Sequence, residues 1–305
     1  MENGQQVCAV QRMQDYIKTH LTEPITLKEL SRQAGYSPFH SARMFKELTG
    51  RSPFEYMRQF RLSQAALKLR DEKVKVLDVA LDFLFDSHEG FTKAFSKEFG
   101  ITPSRYQHNS PPIRLFIPSS VQSYHDYLKR GERKMENQQK NGFVFVQVID
   151  RPKRRVIVKR GKEADNYFDY CEEVGCDIWG ILCSVKEALY EPIGMWLPKR
   201  FRREGTSEYV QGVEVPADYS GEVPQGFELM DLPPCQMMVF QGPPYNDEAF
   251  YDAIDALKEA MENYKPELYG YQWADDDGPK FQLEPQGYRG YIEARPVKKV
   301  TLLEK

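Results

Sequence analysis

The sequence predicts a multidomain chain: an all-α domain built on two tandem helix-turn-helix units, then a duplicated α+β domain in which the order β-α-β-β is used twice. Three observations predict it. Leu27 to Thr49 and Leu77 to Gly100 carry the same pattern about fifty residues apart. From Phe143 onward, a strand, a glycine, a helix and two strands are read twice, about eighty residues apart. Finally, 305 residues are too many for the first module alone and leave about 200 for a second domain.

In the first copy, Thr26 to Ala34 has the apolar spacing of a short helix. Gly35 can supply the positive φ of a tight turn, and Ser37 can cap the next helix, which runs to Leu48. In the second copy, Val76 to Phe83 is the first helix, and Asp86 or Ser87 caps a helix through Lys93, Ala94, Phe95 and Phe99. Phe45, Gly50 and Pro53 recur as Phe95, Gly100 and Pro103, whereas Tyr36 recurs as Phe85, so the second turn is one residue longer. A helix, a short turn and a second helix bearing polar and cationic side chains form a helix-turn-helix. One copy alone would suit an ordinary helical hairpin equally well; a second copy in register argues against that. The joining helix starts near Pro53 and sets Phe54, Met57, Arg58, Arg61, Leu62, Ala65, Ala66 and Leu69 at the spacing of one buried stripe. At about 1.5 Å per residue it spans roughly 25 Å, long enough to set two recognition helices into successive major grooves about 34 Å apart.

Residues 1 to 110 carry a net charge of +3 and the remainder −6, giving −3 for the chain. A general nucleic-acid binder is strongly basic, so limited non-specific affinity is expected, with positive charge gathered on one face. The five cysteines, Cys8, Cys171, Cys176, Cys183 and Cys235, lack paired CxxC spacing. Cys171, Cys176 and Cys183 fall at helical intervals, which favours buried thiols over metal ligands or disulfides. No metal or other cofactor is expected. With no signal sequence at its start and no apolar run near eighteen residues, the chain is expected in the cytoplasm, without a membrane partner.

The segments Ala34-Gly35-Tyr36-Ser37-Pro38-Phe39-His40, Met44-Phe45-Lys46, Arg61-Leu62 and Phe85-Asp86-Ser87-His88-Glu89-Gly90-Phe91-Thr92-Lys93-Ala94-Phe95, closing on Phe99-Gly100-Ile101-Thr102-Pro103, resemble the DNA-binding domain of AraC/XylS-type bacterial transcription regulators. The resemblance covers about residues 8 to 108. It implies that Phe39, Ser41, Ala42 and Arg43 of the first recognition helix, and His88, Glu89, Gly90 and Lys93 of the second, face base edges or nearby phosphates. Double-stranded promoter DNA, and RNA polymerase at the promoter, are the implied partners.

Each of these residues has a physical reading. Arg43 can bond a guanine edge in two places or hold a phosphate, and Lys93, a point charge, reads or merely positions. Glu89 can accept from cytosine N4 or orient a neighbouring cation. His88 suits a neutral donor or a packed residue better than a metal ligand, since no partner ligands surround it. Phe39 suits a thymine methyl or the core. Where the family usually has glycine in the second turn this chain has Leu84, so that turn must avoid positive φ or accept strain.

Residues 1–108 are therefore expected to form the DNA-binding domain, 109–142 a linker and 143–305 the second domain. In the linker, Ile113 to Pro118 reads as a short strand, and Tyr124 to Asn141, with the basic run Lys129 to Lys134, as charged chain with some helix. In the second domain, a strand Arg155–Arg160, Gly161 and a long amphipathic helix precede strands Ile193–Leu197 and Tyr209–Val215. The second pass has a strand Gln236–Gln241, Gly242-Pro243-Pro244, a helix from Asp247 through Met261, and strands near Phe281 and Gly290 to Pro296. Gly161 pairs with Gly242, Glu214 with Glu293 and Pro216 with Pro296. Two such units sharing a core leave a cleft between the halves.

Val213-Glu214-Val215-Pro216, Val239-Phe240-Gln241-Gly242-Pro243-Pro244-Tyr245 and Ile292-Glu293-Ala294-Arg295-Pro296-Val297 are similar to the gyrase-inhibitor-like (GyrI-like) effector-binding domain of multidrug-sensing regulators. A small-molecule effector is thus implied, a cationic aromatic among the candidates. Strand alternation puts Tyr291 and Glu293 on one face, and an aromatic wall with a carboxylate is what a hydrophobic cation needs. The family acid often stands where this chain has Ile292, which turns Glu293 to the opposite face; the plainer reading is a solvated Glu293 beside Arg295. Trp196 and Tyr209 complete the candidate pocket. Two other readings of this domain remain: a hydrolase of small toxic compounds and a pure protein-interaction module. No Ser/His/Asp or metal constellation supports catalysis, so the chain is not expected to be an enzyme.

Overall fold

The computed structural model describes residues 2–130 and 143–300, which fall into two compact units, Met1–Arg133 and Lys134–Lys305. Part of the Lys129–Lys134 basic run lies outside the described residues. Among those described, no helix is long and apolar enough to cross a membrane.

The first unit holds α1 (Glu2–Thr19), α2 (Leu27–Ala34), α3 (Pro38–Thr49), α4 (Pro53–Asp71), α5 (Val76–Asp82), α6 (His88–Phe99), α7 (Pro103–Asn109) and α8 (Val121–Arg130). Local chemistry sets most boundaries. Thr26 and Glu29 form a capping box at α2, and Ser52 and Glu55 form another at α4. Ser37 caps α3, and Ser87 rather than Asp86 caps α6, accepting from the Gly90 amide at 3.0 Å. The two recognition helices, α3 and α6, are each twelve residues long and end on a left-handed glycine, Gly50 and Gly100.

The two turns differ as their lengths suggest. Gly35 takes φ 76° after α2, whereas after α5 the left-handed residue is Leu84, with φ 60°. The second turn accepts the strain because the Leu84 amide bonds Leu81 O and the Phe85 amide bonds Ala80 O at 2.9 Å. A left-handed non-glycine costs about 1–2 kcal/mol. Leu84→Gly should therefore stabilise the helical unit by a few tenths to about 1 kcal/mol once glycine's chain entropy is set against the relief, seen as a raised urea midpoint. A lowered midpoint would show that Leu84 stabilises through packing instead.

Helix α4 buries more than the single stripe expected. Tyr56, Met57, Phe60, Leu62, Ser63, Ala65, Ala66 and Leu69 are all buried, while Phe54 and Arg58 are exposed. The reason is that α4 serves two cores, packing on α3 as well as on α5, α6 and α7. Ile113 to Pro118 is not a strand. This unit offers it no sheet edge, so the extended chain lies on α4, with the Phe116 amide bonded to Ser63 Oγ at 2.7 Å and its ring edge-on to Tyr56. Gln11 and Gln14 of α1 then hold the backbone at Ser119, Val121 and Gln122.

The second unit contains β1 (Phe145–Arg151), β2 (Arg154–Arg160), α9 (Tyr167–Val174), α10 (Ile178–Cys183), β3 (Ile193–Trp196), β4 (Tyr209–Pro216), β5 (Glu228–Leu232), β6 (Cys235–Gln241), α11 (Phe250–Asn263), β7 (Tyr271–Trp273), β8 (Lys280–Leu283) and β9 (Ile292–Lys299). The β-α-β-β order stands twice, each time preceded by one strand the sequence reading lacked, and the second pass also inserts β7 between its helix and β8. All the pairings are antiparallel, in the order β1-β6-β9-β8-β3-β4-β2-β5, with β7 on β9. The leading strands are exchanged: β1 pairs with β6 of the second half, and β5 with β2 of the first. Only two residues join β1 to β2 and β5 to β6, so the sheet must curl until its ends approach. Its inner face holds Val156, Val158, Met195, Val210, Val239, Phe281 and Ala294 in one core. Helices cover the other face. The long helix expected after Gly161 is two short ones, broken at Gly175, whose φ of 110° no helix tolerates.

Candidate functional site

In the helical unit, the first turns of α3 and α6 present most of the expected reading residues. Phe39 is 80% exposed, which removes the core-packing alternative, and Arg43 is exposed, its ion-pair partner among the described residues being Glu47 at 3.5 Å. An exposed i,i+4 pair of that kind is worth a few tenths of a kcal/mol, so Arg43 is readily released to another acceptor. His88, Glu89, Gly90 and Lys93 are exposed as a group, and Ala42 is half-buried. Glu89 also lies in the first turn of α6, where a carboxylate stabilises the helix terminus. Ser41 is a correction: it is wholly buried, because its position on α3 faces the core beside Met44 and Phe45, and it cannot touch a base.

An open groove of about 570 Å³ separates this unit's two halves, lined by Ile25, Phe54, Met57, Arg58, Leu84 and Phe85.

In the second unit the four expected pocket residues converge on the helix-covered face, at the middle of the sheet. Register explains it: Trp196 lies opposite Tyr209 on one side and Lys280 on the other, and Gln282 lies opposite Glu293. Gln282 joins the halves, donating to Tyr209 Oη at 3.1 Å and accepting from Tyr291 Oη at 2.9 Å. The Tyr291 hydroxyl also lies 2.7 Å from Glu293 Oε1. Gly194 makes room for this, since a Cβ there would stand 2.0 Å from Tyr209 Oη. Burial, and then the adjoining Glu293 carboxylate, push the Tyr291 phenol well above its usual range, so it remains a donor.

Glu293 is fully buried, which rules out the solvated reading; Arg295 is engaged by Asp275 instead, at 2.6 Å. Among the described residues, Glu293 Oε2 accepts no hydrogen bond and faces the Lys280 ammonium, 3.6 Å away. Lys280 in turn sits 4.7 Å from the centre of the Trp196 ring. Tyr167 stands edge-on to Trp179 and to Phe168, and Phe168 meets Tyr251, itself packed on Phe250, so aromatic rings link α9 to α11.

The expected equivalence of Glu214 and Glu293 does not hold. The offset that relates Gly161 to Gly242 relates Lys159 to Phe240, and their partners are Gln211 and Glu293. Gln211 and Tyr209 therefore correspond to Glu293 and Tyr291, and the duplicated floor carries one carboxylate. Glu214 alternates onto the inner face, where Arg154 Nε donates to it at 2.5 Å and Arg151 lies 3.1 Å away. Gln282 and Lys280 escaped the sequence reading because the short strand that carries them gave no local signal beyond Phe281.

Residues 30–109 match the family model described as "Helix-turn-helix domain". Transcriptional regulator Rob of Salmonella typhimurium is 41% identical over 108 residues, which cover 33% of this chain and 37% of Rob. Regulatory protein SoxS of the same organism is 34% identical over 99 residues, covering 32% of this chain and 92% of SoxS. The match thus spans little more than a third of Rob but nearly all of SoxS. A solved structure, SAV2435 bound to tetraphenylphosphonium, is 13% identical, covers 50% of this chain and 94% of that one, and has a TM-score of 0.35.

Proposed function

Because this chain belongs to the AraC/XylS family of transcription regulators, we propose that a single protomer reads promoter DNA with α3 and α6 in adjacent major grooves of an asymmetric site. The observation that carries this reading is the pair of recognition helices, equal in length and alike in capping, joined by one helix buried in both cores. Arg43, Phe39 and Ala42 serve the first groove; Lys93, Glu89, His88 and Gly90 serve the second. On a site selected from random DNA, Arg43→Ala should weaken binding by about 1–3 kcal/mol and relax one position. Unchanged affinity and unchanged sequence preference would remove Arg43 from the interface.

The second unit we read as a GyrI-like sensor of a small lipophilic monocation, held over Trp196, Tyr209 and Tyr291 and neutralised by Glu293. A fully buried carboxylate oxygen that accepts no hydrogen bond and already faces one ammonium supports this, since a buried carboxylate needs a positive charge beside it. Glu293→Gln should weaken berberine, a flat quaternary ammonium cation, at least tenfold in a calorimetric titration; equal affinity would exclude Glu293. Occupancy would alter DNA affinity or access of RNA polymerase only so far as the ligand prefers one state of the protein.

A further inference from the structure

Lys280 belongs to neither expected set of residues, yet its contacts are those the sensor reading assigns to a ligand. Its ammonium nitrogen lies 3.6 Å from Glu293 Oε2 and 4.7 Å from the Trp196 ring centre, one charge facing a buried carboxylate and an aromatic face together. Cross-strand register holds it there, because Lys280 and Trp196 are directly opposed on the central pair β8 and β3. Its side chain is 37% exposed whereas Glu293 is wholly buried, so the lysine reaches in from the rim on a flexible stem. At that separation the ion pair is not hydrogen-bonded, and no other described residue donates to Glu293 Oε2.

We propose that Lys280 is a tethered surrogate ligand, occupying the cation position of the empty sensor and swinging to solvent when a lipophilic cation enters. The proposal rests on the sensor reading. Electrostatics makes the exchange balanced: one positive charge leaves the carboxylate as another arrives, so Glu293 is compensated in both states. What the incoming molecule adds is apolar contact with Trp196, Tyr209 and Tyr291, which a lysine stem supplies poorly. The lysine therefore sets a threshold. A cation must out-compete an intramolecular one, and small hydrophilic cations, lacking the aromatic contact, are refused. If Lys280 fills the position nine-tenths of the time, the apparent affinity is lowered about tenfold.

Two measurements on the full chain test this. In calorimetry, Lys280→Gln should bind berberine about tenfold more tightly than the wild type, Lys280→Arg should bind no more tightly than the wild type, and Glu293→Gln should bind more weakly. In wild-type protein, saturating berberine should raise the rate at which acetic anhydride acetylates Lys280, read by mass spectrometry, with other lysines unchanged; this needs no variant to fold. Equal or weaker binding by a folded Lys280→Gln, with Glu293→Gln still impaired, would overturn the surrogate and leave the sensor standing. A Lys280 acetylation rate unaffected by bound berberine would overturn it too. Absence of binding in both wild type and folded Lys280→Gln would overturn the sensor reading and the surrogate with it.

Discussion

Glu214→Gln is expected to cost the C-terminal unit about 3–5 kcal/mol, a large part of a domain's usual stability. Glu214 is 1% exposed and its two partners are nearly as buried, Arg154 at 1% and Arg151 at 6%. Arg154 has other acceptors, the carbonyls of Pro152 and Pro233. Arg151 does not share them: its guanidinium lies over Tyr190 at 3.6 Å and over Phe281 at 5.3 Å, with Glu214 beside it. Neutralising Glu214 leaves two guanidinium charges inside the curl of the sheet with no carboxylate between them. All three tryptophans belong to this unit, so their fluorescence during urea unfolding reports it selectively. A loss below about 1 kcal/mol would mean that water or a backbone shift relieves the pair. The same measurement separates the two buried glutamates, since Glu293→Gln, with one neighbouring ammonium that can turn to solvent, should cost far less.

Phe95→Ala should be comparably severe in the helical unit, at about 3–5 kcal/mol. Phe95 is fully buried and its ring meets Phe91 at 5.5 Å, Phe99 at 4.7 Å and Tyr106 at 5.7 Å. The Tyr106 ring ties α6 to α7, and both helices pack on α4, so the cavity lies directly behind the second recognition helix. Thermal unfolding followed by circular dichroism at 222 nm should show the loss. Were the midpoint to move by less than a degree or two, the ring cluster would not be what positions α6.

Much of the helical unit was legible because its signals are local. Capping residues and terminal glycines each act within a few residues of where they stand, and with the fifty-residue repeat they mark α2, α3, α4 and α6 almost to the residue. Ser41 misled because a motif position names a helix, not a face: three residues before Met44, it turns inward with it. Leu84 was flagged by the same local reasoning, and its left-handed φ is the strained outcome of the two that were open. In the second unit, strand alternation placed Tyr291 and Glu293 together correctly. It could not reveal that β1 and β5 exchange halves, nor that β3 and β8 meet at the centre, since register between distant strands is set by the whole sheet. Lys280 and Gln282 became visible only through that register, and so did the mismatch between Glu214 and Glu293.

In the proposed reading one protomer uses two heads joined by α4. Hydroxyl-radical footprinting on a selected DNA site, with the protein-to-DNA ratio measured in the same complex, tests it most directly. One protomer per site, with two protected segments on one face of the duplex about one helical turn apart, is the result predicted, and inserting half a turn between them should abolish high-affinity binding. A single protected segment, or two protomers for two segments, would contradict it.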